Sequence, residues 1–267
     1  MSSAGHPGAS SGQATCWAPA RRCTGLRDDE VQVWRFSLDP GEADLGRLDR
    51  TLDGNERERA RRFRTEALRR RFVAGRGGLR AILGFTLRID PAEVAFVYGD
   101  HGKPALAGAG GPGRIEFNLA HSSALALCAV SRGRSVGVDV EGLRPLDDAE
   151  RIIRRFFSER EQADFLALPA HERLAAFFRG WTRKEAFLKA KGTGLATQLD
   201  AFDVTLRPGD QAAVLRVGDD PAEAARWALI DLDAGPGFAA ALALGRGPEG
   251  GPIRLWDGVP GLFDAHS

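Results

Sequence analysis

The run Val136-Gly-Val-Asp-Val-Glu141 constrains this chain more than any other segment. Alternation at period two sends Val136, Val138 and Val140 to one face of a strand and Gly137, Asp139 and Glu141 to the other. The valines require a core, while the opposite face must take two carboxylates beside a glycine that leaves room. Further along, Glu172 to Lys191 has helical spacing, and Phe177, Trp181, Glu185 and Leu188 fall on one stripe. An acid therefore sits where a core residue belongs, and a buried acid demands a partner. Carboxylates converging from two elements suit a hard divalent cation. Mg²⁺ is the first choice because it combines few carboxylates with phosphate oxygens and water. That points to phosphate chemistry.

Each segment also has an ordinary reading. Asp139 and Glu141 fit the solvated face of an edge strand, and Glu185 with Lys189 fits an i,i+4 surface pair worth a few tenths of a kcal/mol. The lysines weigh against it. Of 37 basic residues only Lys103, Lys184, Lys189 and Lys191 are lysine. Three fall in one short stretch and the fourth in Gly102-Lys-Pro104, which implies places where a compact ammonium is needed rather than a planar fork.

The G-x-D-x-E run at Gly137 to Glu141 is followed by W-x-x-K-E-A-x-x-K at Trp181 to Lys189 and G-x-G-L at Gly192 to Leu195. Upstream stand Gly102-Lys103-Pro104 and Phe117-Asn-Leu-Ala-His-Ser122. In this order the motifs resemble the larger, Sfp-like phosphopantetheinyl transferases, over about residues 55 to 205. One departure is Ala120, where many members have Ser before the histidine.

Composition sets bounds. At 267 residues and 43% hydrophobic content the chain can bury a substantial core. A net charge of +1 argues against nucleic-acid or membrane-surface partners. Locally, Glu56 to Arg80 holds ten Arg and three Glu, a net of +7, a pattern that most often marks a solvated helix face. Cys16, Cys23 and Cys128 make no C-x-x-C and indicate neither zinc nor a disulfide framework. No apolar run approaches the ~18 residues of a membrane span, and the start lacks signal-peptide features, so a reducing cytoplasm is expected.

Residues 1–28 are expected to form a disordered tail, 29–132 an N-terminal α+β subdomain, 133–246 a C-terminal one, and 247–267 a peripheral tail. Residues 55 to 84 read as one long helix or two, interrupted near Gly75 and Gly77-Gly78. Arg132-Gly-Arg134 reads as a hairpin turn into Val136, with His121 in the connection between two earlier strands. Gly192 fits a helix C-cap. Strands, helices and strands recur in each half. This is consistent with an α+β fold of two similar subdomains, each an antiparallel sheet with helices. The resemblance implies their pseudo-two-fold arrangement with the active site at the interface.

The resemblance implies transfer of the 4′-phosphopantetheine arm of coenzyme A to a serine of acyl or peptidyl carrier proteins, in polyketide, nonribosomal peptide or fatty acid synthesis. It assigns Asp139, Glu141 and Glu185 to Mg²⁺, and Glu185 also to the serine proton. Lys189, Lys103 and His121 would contact phosphates of the donor, and Arg59 and Arg71 its 3′-phosphate side, where Arg62 or Arg70 could serve instead. Lys184 and Lys191 receive no role and fit exposed positions. Trp181, Phe177, Phe178 and Phe187 read as core. A monomer is implied. Two rivals remain: a metal-dependent nucleotide pyrophosphate hydrolase, and a carrier-binding module without catalysis.

Overall fold

The computed structural model describes residues 16–99, 102–108, 114–192, 197–245 and 251–261. The first half carries β1 (Ala18–Pro19), β2 (Val31–Ser37), α1 (Glu42–Thr51), α2 (Gly54–Arg61), α3 (Glu66–Leu87), β3 (Phe96–Tyr98), β4 (Pro104–Leu106), β5 (Ile115–Ser122) and β6 (Leu125–Arg132). The second carries β7 (Val136–Gly142), α4 (Ala149–Phe156), α5 (Glu159–Leu166), α6 (Ala170–Lys191), β8 (Phe202–Val204), β9 (Val214–Val217), α7 (Pro221–Ala225), β10 (Trp227–Asp231), β11 (Phe238–Gly245) and β12 (Ile253–Asp257). The class is α+β, as expected.

One sheet has the order β1-β12-β2-β6-β5 and a second the order β10-β11-β7. Alternation along the strands explains how they stack. Trp34, Phe36, Cys128 and Val130 turn outward under Val73, Leu79 and Ile82 of α3. Val33, Leu127 and Ala129 turn inward to meet Val136, Val138, Val140 and Leu242 of the second sheet. On the far side Ala241 and Ala243 pack under Ala186, Phe187 and Ala190 of α6. Each sheet thus bears one 22-residue helix on its outer face, and the two inner faces form a shared core. Among the described residues no helix is long and apolar enough to cross a membrane.

Several local expectations change. β7 is not the second arm of a hairpin: it pairs with β11. Both edges of β6 are already taken, by β2 and β5, so the chain leaving β6 has no edge to return along and crosses to the other sheet. His121 is not in a connection but within β5, opposite Ala126. α3 runs unbroken through its glycines because they serve close packing. A Cβ on Gly77 would lie 2.7 Å from Leu48 Cβ, and one on Gly78 would lie 2.6 Å from the Phe36 ring.

Two segments expected in the terminal tails join the first sheet. β12 lies parallel between β1 and β2, and Ala20 and Cys23 are buried in the core beneath. Residues 1–15, and 246–250 and 262–267 near the other end, lie outside the described residues.

Candidate active site

The site begins with the absence of a side chain. A Cβ on Gly137 would stand 2.2 Å from both Ala186 O and Ala190 N, so glycine alone lets α6 lie directly on β7. That approach sets Asp139, two residues along the same face, against the last turns of the helix. Asp139 is 5% exposed, and its Oδ1 accepts from Lys189 Nζ at 2.5 Å. Its other oxygen, Oδ2, is buried with no hydrogen-bond partner among the described residues.

The electrostatics follow from this crowding. Burial pushes the Asp139 carboxyl up to about 7, against the pull of Lys189 and with the help of the negative charges of Glu185 and Glu141. Burial likewise raises Glu185, again opposed by Lys189 and reinforced by Glu141. The three acids therefore share one electrostatic neighbourhood. Glu141 is half-buried at the exit of β7, where its Oε2 accepts from Ser122 Oγ at 2.9 Å. Arg144 stands 3.5 Å from the same oxygen.

Lys103 approaches from the first half of the chain. Its Nζ donates to the backbone carbonyl of Lys189 at 2.6 Å, a favourable place for a cation at a helix C-terminus. Burial lowers its pKa. A cavity of about 250 Å³ opens beside it, lined in part by Arg114, Glu116, Ala190 and Lys191. Gly192 takes the expected C-cap with φ 75°. Thr193, Gly194 and Leu195 of the same motif lie outside the described residues.

The structure thus brings together Asp139, Glu141, Glu185, Lys189 and Lys103. His121 is exposed on the β5 strand, next to Ser122. Arg59 and Arg71 have separate surroundings: Arg59 lies over the Phe72 ring, 5.2 Å from its centroid, and Arg71 donates twice to Asp39 at 2.9 and 2.8 Å. Arg70 pairs with Glu42, and Arg62 with Glu58.

Lys184 is not exposed. It is fully buried 2.7 Å from Glu161 and donates to the carbonyls of Leu199 and Phe202, pinning α6 to α5 and β8. Lys191 is half-buried, 3.7 Å from Glu223. Phe177, Phe178 and Phe187 are buried, and Trp181 stacks on Phe177 as part of the same aromatic packing. Asn118 and Ser122, neither of them among the site residues expected from the sequence, both bond β7. Their shared face in the Phe117–Ser122 string was the available signal.

A hard cation fits this donor set. The donors are carboxylate oxygens, one of them buried and unpartnered, and their mutual repulsion calls for positive charge. As they stand, no three acidic, histidine or cysteine side chains among the described residues are in ion-holding geometry, and Lys189 supplies the charge beside Asp139.

Comparison with known proteins agrees with this chemistry. Residues 135–243 match the family model of the 4′-phosphopantetheinyl transferase superfamily. The 4′-phosphopantetheinyl transferase HetI of Nostoc sp. is 42% identical over 228 residues, which cover 85% of this chain and 93% of that protein. The 4′-phosphopantetheinyl transferase Sfp of Bacillus subtilis is 30% identical over 163 residues, 61% of this chain and 70% of its own. With a relative so similar aligned along nearly its whole length, and with the acids and lysines of β7 and α6 gathered at one place, the chain belongs to the 4′-phosphopantetheinyl transferase family.

Proposed function

We propose that the chain transfers the 4′-phosphopantetheine arm of coenzyme A to a serine of apo carrier proteins of polyketide, nonribosomal peptide or fatty acid synthesis. Holo carrier and adenosine 3′,5′-bisphosphate are the products. The observation that carries this reading is the Asp139 carboxylate, desolvated between β7 and α6 with one oxygen on Lys189 and the other without a partner among the described residues. Such a group is poised for a cation and a polyanion arriving together.

In this reading Asp139, Glu141 and Glu185 would hold Mg²⁺, which supplies a Lewis acid for phosphate oxygens when bound. Glu185, its pKa raised by burial, takes the proton of the carrier serine on a carboxylate oxygen. Lys189 exchanges Asp139 for a phosphate oxygen of the donor. Lys103 acts on the same group as a point charge, and its burial strengthens the attraction. His121, open to solvent on β5, contacts the coenzyme A phosphates, and Arg59 and Arg71 serve the 3′-phosphate. The chain works as a monomer in the cytoplasm, without nucleic-acid or membrane partners.

The test is the mass of the carrier after incubation with the chain, coenzyme A and Mg²⁺. Gain of the arm, lost in Glu185→Gln, supports the transferase. Bisphosphate released while the carrier stays unmodified overturns it in favour of hydrolysis.

A further inference from the structure

β7 has a backbone neighbour, β11, on one edge, while its other edge faces β5 without a ladder. Two β5 side chains stand in for the missing strand. The Val138 N–H donates to Asn118 Oδ1 at 2.8 Å, and the Gly142 N–H donates to Ser122 Oγ at 3.1 Å. Asn118 and Ser122 share one face of β5, and their partners repeat the same spacing along β7. A slip of the two strands by one residue would undo both bonds at once.

The Ser122 hydroxyl has a single hydrogen. Because the Gly142 N–H is itself a donor, it must meet a lone pair of Oγ, and the hydroxyl hydrogen is left for Glu141 Oε2, 2.9 Å away. Arg144, also near that oxygen, is 60% exposed and 3.5 Å distant, so Ser122 makes the tighter contact. The turn after Ser122 holds the hydroxyl in place. Ser122 faces Leu125 across the hairpin, and Ser123 adopts φ 55°, a left-handed conformation that a non-glycine residue keeps only where the surroundings impose it. Gly142 accommodates that turn: a Cβ there would lie 3.1 Å from Ser123 Oγ.

We propose that Ser122 is a positioning residue for the metal site. Its hydroxyl, oriented by the Gly142 N–H, holds Oε2 of Glu141 and leaves Oε1 for the cation, while Asn118 fixes the strand from which Glu141 projects. The inference rests on the metal-assisted transfer proposed above. The Ser122 hydroxyl is committed on both sides, to Glu141 and to the Gly142 N–H, and so serves the carboxylate rather than a ligand of its own.

The test titrates Mn²⁺ into the purified full chain and reads free Mn²⁺ by its electron paramagnetic resonance signal, so it does not depend on turnover. Ser122→Ala should weaken Mn²⁺ binding about tenfold, the scale of one hydrogen bond to a charged group. Ser122→Thr, which keeps the hydroxyl, should bind within about twofold of the natural chain. In a Glu141→Gln background Ser122→Ala should add nothing, since its effect passes through that carboxylate. Thermal unfolding of each variant checks that it is folded. Unchanged Mn²⁺ affinity in Ser122→Ala, a folded Ser122→Thr as weak as Ser122→Ala, or additive losses in the double variant would each overturn the proposal. Failure of the transferase reading would show elsewhere, as a natural chain that binds Mn²⁺ but leaves the carrier unmodified.

Discussion

Lys189 Nζ lies 2.5 Å from Asp139 Oδ1, while Oδ2 of the same carboxylate is buried with no partner among the described residues. One ammonium thus satisfies half of a desolvated acid. The carboxyl titrates at about 7 in place of 3.8. Between those values the folded chain keeps a proton that the unfolded chain has released, so this group makes stability fall as pH rises from about 4 to about 7.

Asp139→Asn should therefore abolish turnover and yet stabilise the metal-free chain. At pH 8 in a chelating buffer the gain should be about 1–3 kcal/mol, and it should shrink as pH falls toward 4, where the natural carboxyl is neutral as well. Urea unfolding across that range checks it. A gain that grows on acidification would mean the carboxyl is not held up by burial.

Lys189 and Lys191 lie near the same helix end in different company. Lys189 touches Asp139, whereas Lys191 stands 3.7 Å from Glu223 and over the Phe187 ring. Lys189→Ala should lower carrier modification more than about tenfold, a loss of at least ~1.4 kcal/mol in the transition state. Lys191→Ala should change it little. Equal losses, measured as kcat/KM for the carrier, would mean that Lys191 shares the phosphate contact.

Gly137→Ala tests how far the site depends on backbone contact. A Cβ at 2.2 Å from two backbone atoms of α6 cannot be relieved by turning a side chain, so β7 and α6 must part. The expected cost is about 3 kcal/mol or more, with activity lost alongside. A chain that unfolds within about 0.5 kcal/mol of the natural one would show that the helix does not sit so close.

The acids of β7 and α6 were legible because alternation and helical spacing are local properties of the sequence. Asp139, Glu141 and Glu185 appeared on the faces that now meet. Pairing was not local. The turn at Arg132–Arg134 has hairpin chemistry, but whether β7 returns along β6 depends on the edges of β6, which β2 and β5 occupy from distant parts of the chain. Lys184 shows the same limit. Its rarity as a lysine marked it out, yet whether it meets phosphate, water or Glu161 depends on where α5 and β8 pack. The parallel insertion of β12 between β1 and β2 likewise joins segments that carry no mutual signal in the sequence.

Arg71 meets the sharpest test of the arginine run, because Asp39 already holds its guanidinium by two hydrogen bonds. The pairing keeps the Asp39 carboxyl below its usual range, mainly through the hydrogen bond from Arg71. If Arg71 serves the 3′-phosphate of coenzyme A, the phosphate must compete with this carboxylate for one planar fork. Arg71→Ala should then raise the KM for coenzyme A several-fold, roughly the loss of one charge-assisted contact, and leave dephospho-coenzyme A almost unaffected. Arg59→Ala should behave in the same way. Asp39→Asn should act in the opposite sense, lowering the KM for coenzyme A by freeing Arg71, again with little change for the donor that lacks the phosphate. Steady-state kinetics with both donors separates a local contact from a general field. Equal losses for the two donors in the arginine variants would mark the run as a steering surface, whose effect should fade as salt screens it.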